Sequence, residues 1–194
     1  ITGGNGGIGL GCARGLARAG ATIVIWARDS SKNMAAKNEL EALGATVETL
    51  EVDVTDRSAV ENATARTVEL CGGIDILFAN DGEIRTLMGN DDLEAAVAAA
   101  APLVETLVVT RSEEGALAIS GGERADVPAE PVDKVVDTTG AGDLFAAGFL
   151  TGRAEGRSLA DCLTMGAICA AEIISHYGPR PEADLRALVA ARLG

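Results

Sequence analysis

Short apolar runs alternate with longer segments of helical periodicity over residues 1–79. Apolar runs bounded by turn residues predict buried strands, and apolar positions three or four apart predict helices that pack on them. The predicted strands are residues 22–26, 46–52 and 74–79, and the predicted helices end at Ala19 and span residues 31–43 and 57–71. This alternation predicts a parallel sheet with right-handed crossovers.

The pattern changes after Asn80. The remaining predicted elements are a helix at 91–101, strands at 106–110 and 116–120, a loop or edge strand around Pro128 and Pro131, and helices at 141–151, 158–175 and 182–193. The two strands are too close in sequence for a crossover, so they should pair antiparallel. The predicted fold class is α/β: a three-layer, Rossmann-like, mostly parallel sheet with helices on both faces and an antiparallel edge. We expect one domain with halves at 1–77 and 78–194.

Composition limits the partners of the chain. Hydrophobic residues make up 47% of it but aromatic residues only 3%, so small aliphatic side chains must fill the core. The net charge of −13 argues against nucleic acid, because phosphate backbones bind basic surfaces. No apolar run reaches membrane-spanning length. We expect a cytoplasmic monomer or homodimer that binds a small-molecule nucleotide at most, and a natural chain that begins before Ile1.

Residues 2–9 read TGGNGGIG and precede a helix. Glycines at such a turn let the backbone approach a pyrophosphate, which then lies at the helix N-terminus. The motif DVTD at 53–56 follows a strand, and GGIDIL at 72–77 leads into the next one. Together these motifs resemble the nucleotide-binding half of short-chain dehydrogenases/reductases. The glycines that match the family pattern are Gly3, Gly7 and Gly9.

The dehydrogenase resemblance implies a cofactor but not its chemistry. Arg28 ends the second strand of that pattern, where a basic residue suits the 2′-phosphate of NADP, and the resemblance places Asp53 and Val54 beside the adenine. An ordinary solvated arginine is the alternative interpretation of Arg28. The family's catalytic Tyr and Lys are missing, since the only tyrosine is Tyr177 and Pro181 stands four residues later. We therefore expect no hydride transfer.

A second motif, DTTGAGD at 137–143, stands directly before an apolar helix. The successive amides of Gly140, Ala141 and Gly142 at a helix N-terminus can stabilise the charge of a transferring phosphoryl group. Asp143 in the first turn can accept the proton of a substrate hydroxyl. A capping Asp behind a tight glycine turn is the alternative interpretation.

The wider stretch VVDTTGAGDLFAAGFL resembles the signature of ribokinase-like sugar and nucleoside kinases. The resemblance implies that Asp143 is the catalytic base and that residues 140–142 form the anion hole. It also implies that Asn80 and Glu83, an Asn-x-x-Glu pair, order Mg²⁺ and phosphate through water, without a direct protein ligand to the metal. The implied nucleotide contacts are Thr110 and Gly115.

The kinase resemblance begins near residue 75, and the half of that family that supplies most of the sugar pocket is missing. The sequence therefore predicts a chimera in which a dehydrogenase-like half (1–77) is joined to a kinase-like half (78–194). An engineered, de novo chimera is the first interpretation, and a natural fusion is the alternative. Such a chimera would be a scaffold without full native activity, not an enzyme, that retains sites for ATP, ADP or NADP. The alternatives are an ATP-dependent carbohydrate or nucleoside kinase and an NADP-binding reductase remnant.

Overall fold

The computed structural model describes residues 1–18 and 20–194. The predicted helix end at Ala19 lies outside the described residues. The chain forms two compact units, Ile1–Gly73 and Ile74–Gly194. Within the described residues, no helix combines the length and apolar character needed to cross a bilayer.

The first unit follows the alternating order that the sequence predicts. Its elements are α1 (Gly7–Arg18), β1 (Ile23–Ala27), α2 (Ser30–Glu41), β2 (Val47–Glu51) and α3 (Arg57–Cys71). β1 and β2 pair in parallel, and their buried side chains pack with those of α1 and α2. Asp29 and Asp56 accept hydrogen bonds from the first-turn amides of α2 and α3, so each helix begins at a carboxylate N-cap.

The second unit contains a four-stranded sheet and five helices that the structure describes. Its elements are β3 (Ile76–Asn80), α4 (Asp81–Met88), α5 (Leu93–Ala100), β4 (Thr106–Thr110), β5 (Ala116–Ser120), β6 (Glu123–Val127), α6 (Ala141–Ala154), α7 (Leu159–Ile173) and α8 (Leu185–Leu193). Single 3-10 turns occupy residues 101–103 and 112–114. The strand order is β3-β4-β5-β6.

The sheet of the second unit combines parallel and antiparallel pairing. β3 and β4 are parallel, whereas β4, β5 and β6 pair antiparallel. Alternate residues of β4 enter different cores, because successive side chains of a strand point to opposite faces. Val108 packs with Phe145 and Phe149 of α6, and Leu107 packs with Ile84 of α4. The predicted α/β class, with helices on both faces and an antiparallel edge, is confirmed.

Two elements were not predicted, and β3 is an edge strand of its sheet. α4 begins directly after Asn80, and β6 is the last strand of the antiparallel edge. β3 pairs with β4 at the edge of the four-stranded sheet, and the side chains of Ile76, Leu77, Phe78 and Ala79 are only half-buried. The prediction of a single domain with halves at 1–77 and 78–194 stays a prediction.

Helices α6 and α7 approach so closely that glycines are required between them. A Cβ atom at Gly148 of α6 would lie 2.6 Å from the carbonyl oxygen of Met165, and one at Gly166 of α7 would lie 2.8 Å from that of Phe145. Both obstacles are backbone atoms, which cannot move away as a side chain can. On the sheet side of α6, Phe149 packs against Phe78 of β3, with ring centroids 5.5 Å apart at 88°.

Gly148→Ala is therefore expected to lower the free energy of unfolding. Overpacking costs about 1–3 kcal/mol, which exceeds the gain of about 1 kcal/mol that alanine brings to a helix interior. Gly15→Ala in α1 is the matched control, since no atom lies within 4 Å of a Cβ atom there. Urea unfolding followed by circular dichroism should show destabilisation by Gly148→Ala and slight stabilisation by Gly15→Ala. Equal effects would contradict the close crossing.

Candidate active site

The 137–143 turn leads from a loop into α6 and presents backbone amides. Gly140 is the N-cap of α6, with a φ of 82° that an L side chain rarely adopts. Ala141 N donates to Thr138 O at 3.2 Å, and Leu144 N donates to Gly140 O at 2.9 Å. The amides of Gly142 and Asp143, which lie between them in the first turn, have no intrahelical acceptor. A helix start of this form can bind an anion.

Asp137 fixes the shape of this turn. Its Oδ1 atom accepts hydrogen bonds from the amide of Thr139 at 2.9 Å and from the Thr139 hydroxyl at 2.7 Å. Its Oδ2 atom accepts the amide of Gly178 at 3.2 Å. The Thr139 hydroxyl, the Thr139 amide and the Gly178 amide, in that order, lower the pKa of Asp137. The carboxylate is therefore charged near neutral pH, and it ties the turn to the chain after α7.

Asp143 is exposed at the third position of α6. No atom lies within 4 Å of a Cβ atom placed at Gly142, its neighbour in the first turn. The first turn of α6 is therefore open at Gly142, and Asp143 is exposed beside it. An exposed carboxylate beside free amides can accept a proton from a group whose neighbouring negative charge the amides stabilise.

Asn80 and Glu83 form a capping box at the start of α4. Asn80 Oδ1 accepts the amide of Glu83 at 2.8 Å, and Glu83 Oε2 accepts the amide of Asn80 at 2.8 Å. This reciprocal pair satisfies two amides that the helix itself leaves free. The Asn-x-x-Glu spacing thus has a structural reason in addition to the chemical role that the sequence predicts. Glu83 is exposed, and its Oε1 atom is not part of the capping box.

Thr110 and Gly115 flank the 3-10 turn between β4 and β5. Arg111 N donates to Gly115 O at 2.7 Å, and Gly115 N donates to Ser112 O at 3.2 Å. A side chain at Gly115 would collide with the backbone of Val127. Asn80 pairs directly with Thr110 across β3 and β4. The structure therefore brings Asn80, Thr110 and Gly115 together at the carboxyl ends of the parallel strands, where ligands of open α/β sheets bind.

Four of the predicted dinucleotide residues line a cavity of about 720 Å³ in the first unit. The predicted residues that line it are Gly3, Arg28, Asp53 and Val54, and they are joined by Thr2, Asn5, Trp26, Asp29 and Lys32. The Thr55 amide and hydroxyl, with a smaller contribution from the charge of Arg28, lower the pKa of Asp53. Gly7 begins α1 with a φ of 52°, and Gly9 is required because a Cβ atom would collide with the Gly3 carbonyl.

A polar cluster at the end of α7 was not predicted from the sequence. Glu172 is only 7% exposed at its side chain, and its Oε1 atom lies 3.2 Å from Nε2 of His176. The two residues line a cavity of about 680 Å³ together with Glu130, Asp133 and Glu182. Their spacing of four residues across the C-terminus of α7 was the available signal, since residues at i and i+4 of a helical turn face each other.

Comparison with known proteins identifies the family. The model of the pfkB family carbohydrate kinases matches residues 19–185. A cytidine kinase of Thermococcus kodakarensis is 35% identical over 113 residues, which are 57% of this chain and 40% of that protein. A probable sugar kinase of Rhizobium etli superposes with a TM-score of 0.64 at 34% identity, over 87% of this chain and 53% of that one. The adenosine kinase of Sinorhizobium meliloti gives 0.63 at 33% identity, over 92% and 56%.

These matches argue against the interpretation of the chain as two joined halves. The family model runs across residues 77 and 78, where the sequence predicted a join. The comparisons thus provide no support for a chimera, a de novo protein or a dehydrogenase half, nor for the expectation that the chain is not an enzyme. They favour the kinase alternative, although the chain spans only about half the length of the relatives it matches. The chain belongs to the pfkB family of carbohydrate kinases.

Proposed function

We propose that the chain transfers the terminal phosphoryl group of ATP, bound with Mg²⁺, to a hydroxyl of a sugar or nucleoside. The observation that carries this proposal is the start of α6, where Asp143 is exposed beside amides that have no intrahelical acceptor. Membership of a kinase family supports it at the level of reaction class. The named relatives are sugar, cytidine and adenosine kinases, which supports a sugar or nucleoside as acceptor.

Each group at the α6 start has one role in this proposal. The Asp143 carboxylate accepts the proton of the acceptor hydroxyl while the hydroxyl oxygen bonds to phosphorus and the bond from phosphorus to the bridging oxygen of ADP breaks. In the 140–142 anion hole, the amide of Gly142, which has no intrahelical acceptor, stabilises negative charge on the phosphoryl oxygens, and Ala141 N, which donates to Thr138 O, helps to hold the turn. Open space beside Gly142 leaves room for a phosphate group.

The carboxyl ends of β3 and β4 are the proposed nucleotide side. Thr110 and Gly115 contact the nucleotide, and Asn80 and Glu83 order the surroundings of Mg²⁺ through water. The donor set fits this ion, because Mg²⁺ keeps several waters and needs only one or two carboxylates besides the phosphates. The ion would neutralise charge on the phosphate oxygens. The capping box leaves Glu83 Oε1 for such a water while Oε2 holds the start of α4.

A coupled assay of ADP release tests this function. The chain is incubated with ATP and Mg²⁺, alone and with each member of a panel of hexoses, pentoses and nucleosides. We expect ADP release to rise with at least one acceptor and a phosphomonoester of that acceptor to form in equal amount. Release at the same rate with and without every acceptor would contradict the proposal.

The cavity of the first unit favours a second candidate function, the binding of NADP. Arg28 and Lys32 supply positive charge to the lining of this cavity, which also includes Gly3 and the carboxylates of Asp29 and Asp53. Support for this candidate comes from the cavity and from the glycine motif alone.

Arg28→Ala is expected to abolish a preference for NADP over NAD. A charge-assisted contact to the 2′-phosphate should contribute about 1.5–3 kcal/mol, or roughly 10- to 100-fold in affinity. Thermal-shift titrations with NADP and NAD measure the preference, since a ligand of the native state raises the unfolding temperature. Arg57→Ala is the matched control, because Arg57 is an exposed arginine of the same unit at the start of α3. Equal shifts by both cofactors in the unsubstituted chain would remove this candidate.

A further inference from the structure

The buried carboxylate of Glu172 organises the chain that follows α7. Its Oε1 atom accepts the amides of Glu182 at 2.7 Å and Ala183 at 2.8 Å, in addition to facing His176 Nε2. Its Oε2 atom is buried and has no hydrogen-bond partner within the described part of the chain. A carboxylate in such a place is costly unless its charge is compensated. The three donors to Oε1 provide that compensation.

His176 completes the charge balance of this cluster. Its Nδ1 atom lies 3.4 Å from the carbonyl oxygen of Tyr177 and 3.8 Å from Oε1 of Glu182. A neutral imidazole can donate from one nitrogen only, whereas the protonated ring donates from both. Desolvation alone would lower the pKa of His176, but hydrogen bonds to Tyr177 and Glu172 and the charges of Glu182 and Glu172 raise it above its ordinary value.

The residues that Glu172 holds belong to the 177–183 loop, which also contacts the 137–143 turn. Gly178 N donates to Asp137 Oδ2 at 3.2 Å, the same Asp137 whose other oxygen binds Thr139. Pro179 lies against Gly140, since a Cβ atom at that glycine would be 3.2 Å from Pro179 Cβ. The loop is therefore attached at one end to Glu172 and at the other to the start of α6.

We propose that Glu172 and His176 are positioning residues for the 137–143 turn, acting through the 177–183 loop. Glu172 and protonated His176 hold the loop, and the loop holds Asp137 and Gly140 in the geometry that presents the amides of the α6 start. The proposal builds on the proposed function, because that turn is where we place phosphoryl transfer. Neither residue touches the reacting groups.

The strength with which the 177–183 loop holds the 137–143 turn, called the coupling below, should depend on pH. Two carboxylates approach the ring of His176, Glu172 on α7 at 3.2 Å and Glu182 in the loop at 3.8 Å, and Glu130 and Asp133 from the segment before α6 line the same cavity. Arg192 of α8 contacts Glu130 at 3.2 Å. Because the pKa of His176 is raised in the folded protein, its ion pairs are present at acidic pH and are lost as the pH rises through that pKa. The loop should therefore be held more tightly at lower pH.

Nuclear magnetic resonance of the ligand-free chain tests this proposal. Glu172→Gln should speed amide hydrogen exchange at Gly178, Glu182 and Ala183 by about tenfold or more, because hydrogen bonds to a charged acceptor are weakened. It should also move the amide resonances of Thr139 and Gly140. In the unsubstituted chain a pH titration should move the same two resonances with the apparent pKa of His176, and His176→Gln should abolish that titration. A purely structural role of His176 would not produce a pH titration of the Thr139 and Gly140 resonances.

Ser175→Ala is the matched control, since Ser175 lines the same cavity but its hydroxyl donates to the carbonyl oxygen of Ala171 in α7 and not to the loop. It should leave the exchange rates and the titration unchanged. Faster exchange at Glu182 and Ala183 without movement of the Thr139 and Gly140 resonances would overturn the proposal, as would unchanged exchange in Glu172→Gln. None of these readouts requires turnover. A chain without acceptor-dependent ADP release would thus refute the proposed function while the coupling is judged separately.

Discussion

Asp143→Asn should reduce acceptor-dependent ADP release by about 10²–10⁴-fold, the usual contribution of a positioned general base. Asparagine has nearly the same shape but cannot take a proton from the acceptor hydroxyl. Because Asp143 is exposed at the start of α6, the substitution should leave the fold and the binding of ATP nearly unchanged. Steady-state kinetics should therefore show a lower kcat and a similar KM for ATP.

The matched control for this substitution is Asp161→Asn. Asp161 occupies the third position of α7, as Asp143 does in α6, so both substitutions remove a carboxylate that interacts favourably with a helix N-terminus. Asp161→Asn should keep kcat within about twofold of the unsubstituted chain. A helix-dipole contribution of about 0.3–1 kcal/mol affects only the stability of the fold. A comparable loss of kcat in both variants would show that Asp143 acts through the helix rather than as a base.

Gly115→Ala should destabilise the second unit by about 2–6 kcal/mol. The backbone at Gly115 has a φ of 87° and a ψ of −137°, a region that only glycine occupies readily. Holding another residue there costs about 1–3 kcal/mol. The new methyl group would also collide with backbone atoms of Val127, Pro128 and Ala129, and such overpacking adds about 1–3 kcal/mol. The midpoint of urea unfolding measures the combined loss.

Gly122→Ala separates the two contributions to that loss. Gly122 lies in the turn between β5 and β6 with a φ of 85°, but no atom lies within 4 Å of a Cβ atom there. Its substitution should cost about 1–2 kcal/mol, the usual penalty of a left-handed residue. If both variants lose the same stability, the collision with Val127 is absent, and the requirement for glycine at position 115 has another cause, such as contact with nucleotide.

Elements with clear sequence boundaries were predicted accurately. The helix at residues 57–71 and the strands at 106–110 and 116–120 agree with α3, β4 and β5 residue by residue, because turn residues or charges bound each apolar pattern. β6 was missed because its sequence, ERADV, has only two apolar residues, Ala125 and Val127, and three charged ones, and its residues are exposed or half-buried. An edge strand of this kind is specified by pairing with β5 rather than by its own sequence.

In the candidate site too, the features set by neighbouring residues in the sequence could be predicted, and those set by distant contacts could not. The amides and the carboxylate of the 137–143 turn could be predicted, since their arrangement is local to a helix start. Asn80 and Glu83 were predicted as ligand-binding residues, whereas α4 was missed, although a capping box is itself a helix signal. The role of Glu172 could not be predicted. Its burial and its donors at Glu182 and Ala183 depend on the return of the chain after α7.

The central claim is that the α6 start binds the transferring phosphoryl group, and amide resonances of the chain test it most directly. The chain is titrated with ADP, Mg²⁺ and aluminium fluoride, which together mimic that group beside its leaving nucleotide. The account predicts large, saturable shifts of the amides of Gly140, Gly142 and Asp143, with no comparable shift at Ala160 and Asp161 in the first turn of α7. Unchanged resonances at residues 140–143 under saturating ligand, or shifts confined to residues 1–73, would contradict it.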